Sequence, residues 1–191
     1  MESLPVFLIA LVVVALVWNV VIYNRLVALR NNVDAAWSNI DVLLRQRYEE
    51  VPKLVETCRV YMRYEAETLE RITELRNAGE RCRQQSDVST LGTVESELTG
   101  RLGGLMARAE AYPDLGSSEQ FQRLLARISH LQDSISDRRE FYNEAAKIKN
   151  TRRDQFPDLL VARAFGFGYS PLFEAAPEQR ESPDIGALFR S

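Results

Sequence analysis

Histidine, cysteine, serine and glycine-rich turns are the usual carriers of chemistry in a small protein, and this chain uses them sparingly. His130 is the only histidine. It falls between the apolar positions Ile128 and Leu131 of a helical pattern, so a rim side chain is a simpler reading than a general base. Helical-bundle di-metal centres need a Glu-x-x-His pair on each of two helices, and the residue three before His130 is Arg127. Cys58 and Cys82 have no CxxC motif or Cys/His cluster around them, and if one helix carried both they would stand ~36 Å apart, too far for a disulfide. They read as reduced structural thiols. The glycines of Gly166-Phe167-Gly168 lack the preceding strand and the third glycine of a dinucleotide fingerprint, and no serine sits in a nucleophile elbow. The expectation is a chain without catalytic residues, metal or cofactor, and not an enzyme.

What remains is chemistry by contact. With 24 basic and 27 acidic residues and a net charge of −3, no basic field argues for nucleic acid. Two groups of residues could recognise something else. Trp37, Asn39 and Asp41 lie close together in AWSNID; core packing of Trp37 with Ile40 is the simpler reading, and a patch for a partner helix the functional one. Arg25, Arg30, Lys147, Lys149, Arg152 and Arg153, with Phe165, Phe167, Tyr169 and Phe173, form a candidate membrane-contacting set. A basic side chain near an anionic leaflet is worth about 1 kcal/mol. The competing readings are a solvated helix end and a tail that caps the protein's own core.

The elements that must position these groups are helical. Residues 4–23, LPVFLIALVVVALVWNVVIY, contain no charge and match the ~20 residues needed to cross a bilayer. Trp18 and Tyr23 sit near one end, as interfacial aromatics do. The start lacks both a basic residue and a small-residue cleavage site, so an anchor is expected rather than a cleaved signal. Arg25 and Arg30 follow the span while no Lys or Arg precedes it, which places residues 1–3 outside and the rest in the cytoplasm.

Residues 25–155 then show apolar steps of three and four: Val33, Trp37, Ile40, Leu44, Tyr48 and Val51; Val55, Cys58, Met62, Leu69 and Ile72; Leu91, Val94, Leu98, Leu102, Leu105 and Ala109; Phe121, Leu124, Ile128, Leu131, Ile135, Tyr142 and Ala145. The fold class is all-α, a transmembrane helix followed by an antiparallel up-and-down bundle. Pro52 marks either a turn near Tyr48 to Val51 or a kink in a helix continuing to about Ser86. A single helix over 25–86 would run ~90 Å, far beyond its partners, so four helices of comparable length are preferred to three with the first kinked. Gly103 and Gly104 mark a close contact or weaken the third helix. Ser117 and Gln120 read as a capping box for the fourth, which Phe156 and Pro157 end. An aromatic, Pro/Gly-containing tail fills 156–191.

The ordered runs AWSNIDVLL, RYEEVPKLVET, YMRYEAETLE, AEAYPDL, REFYNEAAKIKN, QFPDLLVARAFGF and PLFE, spread over Asn24 to Phe173, resemble the LemA family. That resemblance implies a bacterial membrane-anchored helical bundle whose biochemical activity is not established. Tyr64 stands where relatives usually have histidine, Lys149 where tyrosine is usual and Arg153 where an aliphatic residue is usual. The expected function is a non-enzymatic scaffold or adaptor in the bacterial inner membrane, self-associating and touching a protein partner or the membrane surface. A ligand-responsive sensor is the alternative, and a tethered enzyme a more distant one.

Overall fold

The computed structural model describes the backbone of residues 3–173 and the side chains of residues 6–173. The first two residues of the expected external N-terminus, and the tail from residue 174, lie outside the described residues. Every regular element among the described residues is helical: α1 (Ser3–Tyr61), a short 3₁₀ turn (Arg63–Glu65), α2 (Ala66–Gln84), α3 (Val88–Ala109), α4 (Pro113–Gly116), α5 (Glu119–Asp154) and α6 (Asp158–Ala164).

The start of α1 carries a window of mean hydropathy 2.8, of which only 6% is buried against other parts of the protein. A core helix of that composition would be covered. An apolar surface left bare over this length suits the hydrocarbon of a bilayer.

The turn expected near Tyr48 to Val51 is not there, because α1 continues through Pro52 to Tyr61. An internal proline deprives the carbonyl four residues earlier of its amide partner. That carbonyl belongs to Tyr48, and Arg76 of α2 supplies the missing donor, its Nε donating to Tyr48 O at 2.9 Å. The Arg76 guanidinium also lies 5.9 Å from the centre of the Tyr48 ring. A tertiary hydrogen bond thus repairs the helix where the local sequence breaks it. The chain reverses ten residues after Pro52, at Met62, whose φ of −107° and ψ of 60° leave the helical region. A turn is required, as the length argument holds, but the four helices are not of comparable length. Two long ones, α1 and α5, enclose the shorter pair α2 and α3 in sequence. Cys58 and Cys82 consequently belong to different helices, and both are free thiols.

The chain divides into two compact units. One comprises residues 39–140 with Leu172 and Phe173, an antiparallel four-helix bundle made of the end of α1, α2, α3 and the first part of α5. Its buried face reads as the spacing predicted, with Ile40, Leu44, Val55 and Cys58 from α1, Met62 at the turn, Leu69 and Ile72 from α2, Leu91, Leu98 and Leu102 from α3, and Ile128 from α5. Two glycines and one cap differ from expectation. A Cβ at Gly103 or Gly104 would meet nothing within 4 Å, so neither marks a helix contact. Ser118, rather than Ser117, caps α5, accepting from Phe121 N at 3.4 Å. The other unit comprises residues up to 38 with 141–171, where α1 pairs with the end of α5 and α6 folds back on them.

Candidate functional site

In the unit built on the start of α1, α6 covers the last turn of the apolar segment. Val161 and Ala162 bury themselves against Ile22 and Leu26, and Phe167 packs on the same cluster. Tyr23 meets Phe165 with ring centres 4.9 Å apart and Phe167 at 5.8 Å. The chain after α6 is a strap, residues 165–171, held by three polar side chains that α5 presents at Lys149, Asn150 and Arg153. Lys149 Nζ donates to Gly168 O at 2.8 Å and to Ser170 Oγ at 2.7 Å. Asn150 bonds the Ser170 backbone both ways, donating to its carbonyl at 2.8 Å and accepting from its amide at 2.9 Å. Arg153 Nε donates to Phe167 O at 2.6 Å, and its guanidinium lies 3.8 Å from the Tyr169 ring centre. Tyr169 in turn donates to Asp154, at 2.8 Å from Oδ2. Tyr142 donates to Pro171 O at 2.8 Å, and burial pushes its pKa up to about 12. Burial lowers the pKa of Lys149, since desolvation disfavours the charged form.

The four-helix unit has a polar centre. Arg47 of α1 is 1% exposed and pairs with Glu95 of α3, itself 2% exposed. Tyr48 donates to the other carboxylate oxygen of Glu95 at 2.5 Å. Desolvation lowers the Arg47 pKa to about 10 and raises that of Tyr48. The Tyr48 hydroxyl fits only because residue 79 is glycine: a Cβ there would stand 2.4 Å from it. An apolar replacement of similar volume often matches or exceeds a buried pair in stability, so burial of this pair is not in itself a source of added strength. Among the described residues no group of three or more His, Cys, Asp or Glu side chains gathers as a metal site.

The model of the LemA family matches residues 36–186, most of the chain. The chain belongs to the LemA family. It is 27% identical over 167 residues to Protein LemA of Metamycoplasma hominis, covering 86% of this chain and 74% of that protein. Magnetosome proteins MamQ 1 and MamQ 2 of Paramagnetospirillum magneticum are each 22% identical over 178 residues, covering 81% of this chain. The chain spans 65% of the length of each MamQ protein.

Within the LemA motif AWSNID, Trp37 is half-buried and packs edge-on against Tyr142, with ring centres 5.7 Å apart. Asn39 is exposed, and Asp41 accepts from Arg83 at 2.7 Å. Trp37 is thus partly packed against α5, while Asp41 bonds across helices.

The candidate membrane set divides. Arg25, Arg30, Lys147, Phe165 and Tyr169 are exposed. Lys149, 6% exposed, and Phe173, 0% exposed, are turned inward, and Arg139 lies over the Phe173 ring at 4.8 Å. Phe167 is half-buried, Arg153 holds the strap, and Arg152 pairs with Asp158 at 2.9 Å. These inward residues correct the idea of a wholly membrane-facing tail: residues 165–173 are in large part a cap on the protein's own helices. Lys149, Asn150 and Arg153 are the side chains that tie the strap down.

Glu49 and Glu50 sit inside α1, and Arg83 pairs with Asp41. Sequence reasoning missed the Arg47–Glu95 pair, Gly79 and the role of Arg76. Only the conflict between Pro52 and an unbroken apolar stripe hinted that a donor was needed.

Proposed function

We propose that this LemA-family chain is a non-enzymatic, membrane-anchored scaffold of the bacterial inner membrane, acting through self-association and through contacts with a protein partner and the membrane surface. The observation that carries the reading is the absence of any linker between anchor and folded body. Helix α1 leaves its apolar segment and within one turn buries Leu26, then Val33, against the folded protein. The apolar segment and the unit that folds on it thus share one helix, α1. The exposed aromatic and apolar side chains of the same unit, Phe156, Leu160 and Phe165, suit the headgroup boundary. Arg25 and Arg30, directly after the span, favour a cytoplasmic bundle. Avidity in the plane of the membrane makes even weak lateral contacts sufficient for self-association. Two measurements test this. A reporter fused after Ser191 should fluoresce in the cytosol, and alkaline phosphatase activity there refutes the orientation. The full chain in detergent should have a protein mass that is a multiple of 21.8 kDa; a strict monomer at every concentration refutes the scaffold.

A further inference from the structure

Between α1 and the strap lies a cleft of about 470 Å³, bounded by Tyr23, Arg30, Asn31 and Asp34 on one side and by Lys149 and the strap backbone at 166–170 on the other. Three features of it point to one kind of occupant. The first is position: Tyr23 ends the apolar segment, and Arg30 stands about 10 Å further along the helix axis, on the scale of a bilayer's headgroup layer. The second is a buried cation whose direct partners are all neutral. Lys149 is 6% exposed, and its two hydrogen bonds go to the neutral oxygens of Gly168 and Ser170. It forms no ion pair among the described residues, although an ammonium has three protons to donate and a buried charge is normally paired. The third is charge balance. Arg30 and Lys149 face the single carboxylate Asp34, which Arg30 approaches only to 3.7 Å with both side chains 67% exposed. One positive charge is left over, together with the exposed Asn31 amide and the backbone amides of Gly168 and Tyr169, which make no hydrogen bond among the described residues.

We propose that this cleft holds the phosphate of one anionic phospholipid, its diester charge answering Lys149 and Arg30 and its glycerol end resting on the rings of Tyr23 and Phe165. The site rests on the membrane-anchored reading above and gives that anchor a lipid preference. A free phosphate has the same charged group, but nothing in it would use the aromatic floor at the end of the span.

The test uses the full chain in neutral detergent, with native mass spectrometry counting retained short-chain lipid. Phosphatidylglycerol should be retained at one molecule per chain, and phosphatidylcholine, which has the same diester but brings a fixed trimethylammonium cation up to Lys149 and Arg30, about tenfold more weakly. Arg30→Gln and Asn31→Asp, both at exposed positions, should weaken retention of phosphatidylglycerol by about tenfold each. Arg163→Gln, exposed on α6 and outside the cleft, should leave it unchanged, and millimolar inorganic phosphate should not displace the lipid. Equal retention of the two lipids, unaltered binding by both cleft variants, or displacement by inorganic phosphate overturns the proposal. A monomer that retains one phosphatidylglycerol refutes self-association alone; an oligomer without lipid preference refutes the lipid site alone.

Discussion

Replacing Arg76 by methionine isolates the bond that lets α1 pass through a proline. The substitution keeps the aliphatic stem but removes the donor that reaches Tyr48 O at 2.9 Å. A hydrogen bond from a charged group contributes about 1.5–3 kcal/mol, and Arg76 is half-buried, so a loss of about 2 kcal/mol is expected. For a domain of this size that is a fall in Tm of roughly 4–8 °C. The decisive comparison is the same change beside Pro52→Ala. Alanine restores the amide hydrogen at position 52 and gives Tyr48 O its ordinary partner within α1, so Pro52→Ala alone should stabilise by about 1 kcal/mol or more. In that background Arg76→Met should cost about 0.5 kcal/mol, leaving a coupling of about 1.5 kcal/mol between residues 52 and 76. Thermal unfolding of the four full-length proteins in one detergent, followed by helical circular dichroism, supplies the cycle. Additive losses, with Arg76→Met costing the same in both backgrounds, would refute the idea that Arg76 compensates the proline.

Gly79→Ala should destabilise by about 1–2 kcal/mol in the same assay, because the clash with the Tyr48 hydroxyl, 2.4 Å from the new Cβ, outweighs alanine's better helix propensity; a neutral or stabilised variant would show that the centre can relax. Glu95→Ala should cost about 3–5 kcal/mol by leaving Arg47 buried and unpaired, and a cost below 1 kcal/mol would mean that water reaches that guanidinium. Arg83 beside Glu80 holds its carboxyl down to about 2 from an ordinary 4.5, so the stability this pair gives is fully present above pH 4.5 and is lost as pH falls toward 2; Glu80→Gln should flatten the acid limb of a Tm-against-pH profile, and an unchanged limb counts against the pair. Lys149→Met should speed amide exchange in residues 165–171 while leaving α2 and α3 protected, and uniform protection would show that the strap is held by other means.

Much of the fold was legible in the sequence because periodicity records burial directly. The apolar steps from Val33 to Met62 were marked on both sides of Pro52, and the residues they named are buried, apart from the half-buried Trp37. Within α3 the pattern failed at one place: Val94 is half-buried while its polar neighbour Glu95 faces the centre. A hydropathy pattern assigns a carboxylate to the surface, and only a cation arriving from another helix, here Arg47, makes its burial tolerable.

The sequence by itself determined the long apolar N-terminal segment, the all-helical class, the family and the face each long helix buries, since all of these follow from the order of apolar and polar residues along the chain. Tertiary structure alone decided where the first helix ends and which charges face inward. The carbonyl that Pro52 orphans finds its donor 28 residues away at Arg76, the backbone of the aromatic strap finds its donors on α5 at Lys149 and Arg153, and a hydrogen bond of that reach has no signature in local spacing.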